Sequence, residues 1–138
     1  GAPAQFHWIR KAYQPLEGYT AKAVFGNEQD LEPSPMPDTD GKWRTTRMLP
    51  ADDLAYDMHI NVVTFEPGAS IPFAETHVME HGLYVLEGTL VTHAGRYGPG
   101  HFLWFPEGMV MEHGATPEAE VTVLFITNKP FEIHYQTP

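Results

Sequence analysis

The chain alternates between short apolar runs and clusters of glycine, proline and acidic residues, and this pattern predicts an all-β fold. Turn signals recur roughly every ten residues, and β-branched and aromatic residues dominate the runs between them. The predicted strands are residues 4–10, 42–49, 58–66, 82–93, 101–106, 109–114, 121–128 and 131–136. Many short strands of this kind are typical of an antiparallel sandwich or barrel.

Two segments depart from the strand pattern. Residues 49–57, LPADDLAYD, predict a helical turn, whereas residues 26–42 are rich in Pro, Asp and Gly without periodicity and predict a surface loop. We therefore divide the chain into an N-terminal strand with a linker-like segment (1–25), this loop, and one β-barrel domain (43–138).

Length and composition exclude several classes of protein. A chain of 138 residues with 42% hydrophobic residues suits one domain with a single core. Its longest apolar runs are far shorter than the roughly 20 residues that cross a bilayer, and its first residues lack the features of a signal peptide. The absence of cysteine excludes disulfides and thiolate metal sites. We expect a cytoplasmic protein that does not bind membranes.

The charge distribution favours a bound cation over a polyanionic partner. The formal net charge is −10, which argues against nucleic acid as a partner because that interaction uses clustered Lys and Arg. Between Met48 and Asn128 a single basic residue, Arg96, stands against eleven acidic residues. A cation in this region is therefore electrostatically favourable.

The octet ETHVMEHG, residues 75–82, is the strongest candidate for chemistry. Alternate side chains of a strand share a face, so Glu75, His77 and His81 are predicted to point the same way. If that face is the barrel interior, one carboxylate and two imidazoles bind a divalent first-row ion, because burying them without a cation would be costly. The alternative is an outward face on which all three side chains are solvated.

A second stretch, GHFLWFPEGMVMEHGA, contains Gly100, Pro106, Gly108 and Met111. Together the two stretches resemble the paired motifs of the cupin superfamily, whose fold is a double-stranded β-helix, or jelly-roll barrel. The phrases LPADDLAYDM, TFEPGA, ETHVMEHGLYVLEG and FHWIRKAYQPLEG resemble the C-terminal cupin half of the (S)-ureidoglycine aminohydrolases. This similarity implies a half-length relative or a fragment of a two-cupin chain.

The resemblance implies a metal site whose neighbouring ligand and substrate-binding residues differ from those of the family. In that family a Glu, two His and a Gln hold manganese, and the enzyme releases ammonia from ureidoglycine in allantoin breakdown. The corresponding residues here are Glu75, His77 and His81 as Mn²⁺ ligands, with Glu75 also catalytic. The position of the Gln ligand is taken by Met111, whose thioether is a poor ligand for Mn²⁺. The family's substrate-binding Tyr and Lys fall on Val123 and Thr127, and a pocket Tyr falls on Thr92.

Other residues are candidates for the pocket. His113 follows Met111 by two positions, and His59 lies on the strand before the motif. For each, the alternative is a surface or hydrogen-bonded histidine. Trp104 is predicted to line the core or the cavity.

Three functions stay open for this chain. The first is a Mn²⁺-dependent hydrolase acting on a small molecule, and the second is an oxygenase in which two His and one carboxylate hold Fe²⁺. The third is a non-catalytic cupin that binds a metal or a small molecule, and Zn²⁺ and Ni²⁺ are alternative ions. We also expect a homodimer, because the predicted strands 4–10 and 131–136 offer edges that need a partner.

Overall fold

The regular secondary structure of the described residues consists of β-strands and one short 3₁₀ turn. The computed structural model describes residues 1–10, 12, 16–35, 41–49, 53–69, 75–77, 80–128 and 133–135, with only the backbone described for 75–77 and 133–135. The strands are β1 (Ser34–Pro35), β2 (Trp43–Arg47), β3 (His59–Phe65), β4 (Glu75–His77), β5 (His81–Glu87), β6 (Leu90–Thr92), β7 (Gly95–Tyr97), β8 (Phe102–Phe105), β9 (His113–Ala115), β10 (Val121–Thr127) and β11 (Ile133–Tyr135). The predicted all-β fold is therefore confirmed.

The strands pair antiparallel in three sheets. A six-stranded sheet has the order β1-β2-β3-β10-β5-β8, a three-stranded sheet has the order β7-β6-β9, and β4 pairs with β11 in a two-stranded ribbon. Strand β10 thus pairs with both β3 and β5, although these strands come much earlier in the chain. The long-range pairing of β10 is what brings β3 and β5 into one sheet.

The core lies between the six-stranded and three-stranded sheets. Burial alternates along β2 and β3, as expected when one face of a sheet packs inward and the other meets water. Val123 in the middle of β10 is opposite Val63 on β3 and Val85 on β5, and all three are buried. Leu90 and Ala115 contribute to the same core from the three-stranded sheet. Both sheets therefore enclose one hydrophobic interior.

Gly88 closes the turn between β5 and β6 in a way that other residues cannot. Its φ of 79° lies in the left-handed region, which disfavours side chains with a Cβ. A Cβ at this position would also collide with the carbonyl oxygen of Glu120. The turn that follows the ETHVMEHG motif therefore requires glycine.

Gly82 has a different role, on the outer face of β5. A Cβ there would meet the rings of Phe102 at 3.0 Å and Trp104 at 3.3 Å. These two side chains of β8 therefore lie across the outside of the sheet, and Trp104 is 49% exposed. The predicted position of Trp104 in the barrel interior is wrong, because its neighbour Phe105 occupies the inward face instead.

Several boundaries differ from the sequence-based expectations. Residues 4–10 form no strand, and the predicted helical turn is only a hydrogen-bonded turn in its described part, where Tyr56 N donates to Asp53 O. The loop 26–42 contains a 3₁₀ turn, Glu28–Asp30, and β1 within its described residues. The segment 131–136 is not an open edge throughout, because β11 pairs with β4. The division of the chain at residues 25 and 42 stays a prediction.

The described residues contain no helix that is long and apolar enough to span a membrane.

Candidate functional site

The predicted metal-binding octet is divided between two strands. Glu75 and His77 lie on β4, which pairs with β11, whereas His81 begins β5 and pairs with β8 and β10. The expectation that one continuous strand carries all three residues is therefore wrong, and the expectation that their side chains point the same way stays a prediction. Glu75 and His77 are alternate residues of β4 and share a face of that strand. Their side chains, which the prediction of a metal triad needs, lie outside the described part of the structure.

His81 points into the core from the first position of β5. It is fully buried, and its imidazole stacks on Phe105 with a centroid distance of 5.1 Å. Phe125 of β10 packs against the same imidazole at 5.2 Å. The alternation of β5, in which His81, Leu83 and Val85 are buried, places the histidine on the inward face. The imidazole of His81 therefore lies in an aromatic environment inside the core.

Met111 meets His81 from the other side of the core. Its thioether sulfur lies 3.0 Å from His81 Nε2, and Met111 is only 1% exposed. The two residues are thirty positions apart, so only the packing of the sheets brings them together. Met111 is the residue that the cupin resemblance aligned with a glutamine ligand, and it lies beside His81.

The remaining predicted pocket residues occupy separate parts of the core. His113 on β9 is buried edge-to-face against Trp43 at 5.4 Å and Phe65 at 5.5 Å. Thr92 is opposite His113 in the three-stranded sheet, and its Oγ1 accepts a hydrogen bond from Ala94 N at 3.1 Å. Buried Val123 packs in the centre of the core. The structure therefore gives His113 an aromatic environment and Thr92 a turn-stabilising contact.

His59 lies at the level of His81 in the six-stranded sheet. Thr127 is opposite both histidines, and His59 N donates to Thr127 Oγ1 at 3.3 Å. Burial lowers the pKa of the His59 imidazole, and the nearby Arg47 guanidinium lowers it further. His59 is therefore a half-buried group at the edge of the interior, and its surroundings favour the neutral imidazole.

A small cavity adjoins His59, and the sequence-based reasoning missed most of its residues. The cavity has a volume of about 20 Å³ and lies between β2, β3 and Phe125. Its polar lining consists of Trp43, Thr45, Arg47, His59 and Asn61. The available signal was the strand alternation, which places Thr45 and Asn61 on the same faces as Trp43 and Val63.

The described side chains do not by themselves form a metal centre. No group of three His, Asp or Glu that could share an ion occurs among the side chains that the structure describes, and the ligand candidates on β4 are not among them. The complete donor set of Glu75, His77 and His81 is one carboxylate and two imidazoles, which suits Mn²⁺, Fe²⁺ or Zn²⁺. The thioether of Met111 is a softer donor than the carboxylate of Glu75 or the imidazoles of His77 and His81.

Comparisons with known proteins confirm the similarity in sequence to (S)-ureidoglycine aminohydrolases and the similarity in fold to cupins. No model of a known protein family matches the chain. The chain is 38% identical to (S)-ureidoglycine aminohydrolase of Escherichia coli over 85 residues, which are 62% of this chain and 32% of that protein. The chain thus spans about a third of the length of this curated relative.

Solved structures show the same fold. A Pseudomonas aeruginosa protein described as glyoxylate induced superposes with a TM-score of 0.75 and 40% identity over 93% of this chain and 48% of that one. An RmlC-like cupin protein of Ralstonia eutropha superposes with a TM-score of 0.68 at 13% identity, over 88% of this chain and 75% of that one. At 13% identity, the similarity to the Ralstonia eutropha protein concerns the fold alone.

Proposed function

Because the chain has the cupin fold and resembles (S)-ureidoglycine aminohydrolase in sequence, we propose that it is a metal-dependent hydrolase that releases ammonia from a small ureido or amino acid. The observation that carries this proposal is the buried pair His81 and Met111, which meet at 3.0 Å inside the barrel. The family resemblance aligns both residues with metal ligands, and their contact supports the proposal. Glu75 and His77 would complete the ligand set from β4.

Each residue of the proposed site has a chemical role. Glu75, His77 and His81 would hold the ion, and Mn²⁺ bound there would supply Lewis-acid polarisation of a chelating amide or carboxylate. Glu75 would carry the proton between the substrate and the departing amine. Phe105 and Phe125 pack against the His81 imidazole and exclude water from that side. The low local polarity there strengthens the electrostatic interactions of the ligands.

A second candidate function follows from Met111. A thioether within contact distance of His81 favours a softer ion than Mn²⁺, and Fe²⁺ held by two histidines and one carboxylate is the arrangement of non-haem oxygenases. In this alternative Glu75, His77 and His81 would hold Fe²⁺, which would supply O₂-dependent oxidation of a bound substrate. The identity of the metal therefore separates the two candidates.

The decisive experiment is metal analysis of the purified protein with His77→Ala as the test variant. His93→Ala is a matched control, because His93 is exposed in the turn between β6 and β7. We expect about one equivalent of manganese in the wild type and the control, loss of the metal in His77→Ala, and ammonia release from ureidoglycine only where manganese is present. Iron with the same pattern would support the oxygenase instead. Absence of metal from all three proteins after reconstitution would refute both.

We further propose that the protein is a homodimer. The exposed aromatic side chains Phe102 and Trp104 lie on β8, an edge strand of the six-stranded sheet. Such an edge presents unpaired backbone groups that a second copy can cover. Light scattering at micromolar concentration tests this, and a monomeric mass would contradict it.

A further inference from the structure

Three hydrogen bonds join Asn128, directly after β10, to Glu80, directly before β5. Asn128 N donates to Glu80 O at 3.2 Å, and Glu80 N donates to Asn128 Oδ1 at 3.0 Å. Asn128 Nδ2 donates to Glu80 Oε2 at 3.2 Å. The amide side chain of Asn128 thus binds both the backbone and the carboxylate of one residue.

Strand pairing alone explains only the first of these bonds. The register of β10 against β5 ends at Thr127 opposite His81, and the bond from Asn128 N to Glu80 O extends this ladder by one residue. The other two bonds need a carbonyl oxygen and an N–H donor on one short side chain, which asparagine supplies. An aspartate would keep the acceptor, but it would lose the donor and place a second carboxylate beside Glu80. The contact is therefore specific to an amide at position 128.

The pair lies on the outer face of the six-stranded sheet. His81 and Thr127 are fully buried. Side chains alternate along a strand, so the neighbouring Glu80 and Asn128 point outward. Both line a groove beside the exposed side chain of Trp104. Glu80 is thus held away from the barrel interior, although it adjoins His81 in sequence.

Anchoring Glu80 fixes the direction of the His81 side chain. A rotation of the backbone that turned Glu80 inward would turn the next residue outward, and it would remove the imidazole from Phe105 and Phe125. His81 is the first residue of β5, and strand ends open more readily than strand centres. β4, which carries the other two predicted ligands, pairs with β11 and not with β5 in the described part of the chain. The hydrogen bonds to Asn128 therefore stabilise the start of β5 at the point where its strand pairing ends.

We propose that Asn128 is a positioning residue for the metal site, because its amide holds Glu80 on the outer face and thereby keeps the His81 imidazole directed into the barrel. Asn128 itself would touch neither the ion nor the substrate. The inference rests on the proposed function for the role of His81 as a ligand, whereas the anchoring of His81 does not depend on a metal. Groups that orient a ligand commonly change metal affinity, so loss of the amide should weaken Mn²⁺ binding by about tenfold.

The test exchanges the hydrogen-bonding groups of the pair in the whole chain. Asn128→Asp removes the donor, whereas Glu80→Gln keeps every hydrogen bond because the glutamine oxygen still accepts from Asn128 Nδ2. The double variant restores a donor and an acceptor with their roles reversed. Asn27→Asp adds the same charge at the exposed 3₁₀ turn and is the matched control. Asn128→Ala, which adds no charge, is the second test variant if Asn128→Asp does not fold.

The first readout is the set of His81 imidazole proton resonances in the metal-free protein, assigned by their loss in His81→Gln. The ring currents of Phe105 and Phe125 make these resonances sensitive to the direction of the imidazole. The second readout is the Kd for Mn²⁺. We expect Asn128→Asp to shift the His81 resonances and to raise this Kd by about tenfold, and we expect the double variant to restore both.

The controls and the unfolding temperature make the result specific. Glu80→Gln and Asn27→Asp should stay within about threefold of the wild-type Kd, because the hydrogen bonds remain and charges near water are screened. A merely structural role would lower the Tm of Asn128→Asp without moving the His81 resonances or the Kd, and this result would overturn the proposal. Failure of the double variant to restore the resonances would also overturn it. If the wild type binds no metal but the resonances shift in Asn128→Asp and return in the double variant, the proposed function fails and the anchoring of His81 stands.

Discussion

Met111→Gln is the substitution that tests the proposed metal site most directly. The Met111 sulfur lies 3.0 Å from His81 Nε2, and the side chain is almost fully buried. Glutamine has a similar length and places a hard oxygen donor where the soft sulfur now lies. The variant should therefore lose stability without metal and gain affinity for Mn²⁺.

The size of both effects follows from the burial of this position. Burying an amide that is incompletely hydrogen-bonded costs about 1–3 kcal/mol. For a domain of this size each kcal/mol changes Tm by roughly 4 °C, so the metal-free variant should unfold about 4–12 °C below the wild type. Mn²⁺ at a hundred times its Kd would raise the free energy of unfolding of the variant by about 2.7 kcal/mol. This stabilisation roughly cancels the loss caused by the substitution.

Thermal unfolding in EDTA and in MnCl₂ measures both effects. Met111→Leu is the matched control, because it conserves volume, should cost less than about 1.5 kcal/mol, and adds no oxygen donor. The Mn²⁺-dependent rise in Tm should be larger in Met111→Gln than in the wild type or Met111→Leu. Equal rises in all three proteins would refute the proposal that Met111 lies at the metal site.

Three further predictions concern the fold around the site. Gly88→Ala should lower the free energy of unfolding by more than about 2 kcal/mol in urea titrations, because it combines a left-handed φ with a collision at Glu120 O; a loss under 1 kcal/mol would contradict this estimate. The lowered pKa of His59 means that the unfolded chain binds its proton first, so stability should fall as pH drops below about 6.5 and should not depend on this group above it. His59→Gln should therefore reduce the difference in urea midpoint between pH 7.5 and pH 5.5, and an unchanged difference would argue against it. Trp104→Ser should leave metal content unchanged, because Trp104 lies on the outer face; loss of metal would place it at the site after all.

Local sequence patterns determined the all-β class and most of the strands of this protein. Burial alternates along β2 and β3, because side chains of a strand alternate between two faces whatever the strand pairs with. The predicted strand 82–93 was wrong at Gly88, where the chain turns between β5 and β6. The cupin fold and the resemblance to the aminohydrolase also followed from short motifs. The ligand roles of Glu75 and His77 stay predictions.

Only the tertiary structure decided which residues meet. Alternation shows which side chains share a face, but it does not show which face is inside, and Trp104 lies outside because Phe105 packs against His81 instead. The contact between His81 and Met111 depends on strand pairings between distant segments, which the sequence around either residue does not specify. The cavity beside Trp43 arises in the same way, because β2, β3 and β10 become neighbours only when the sheet closes over its core.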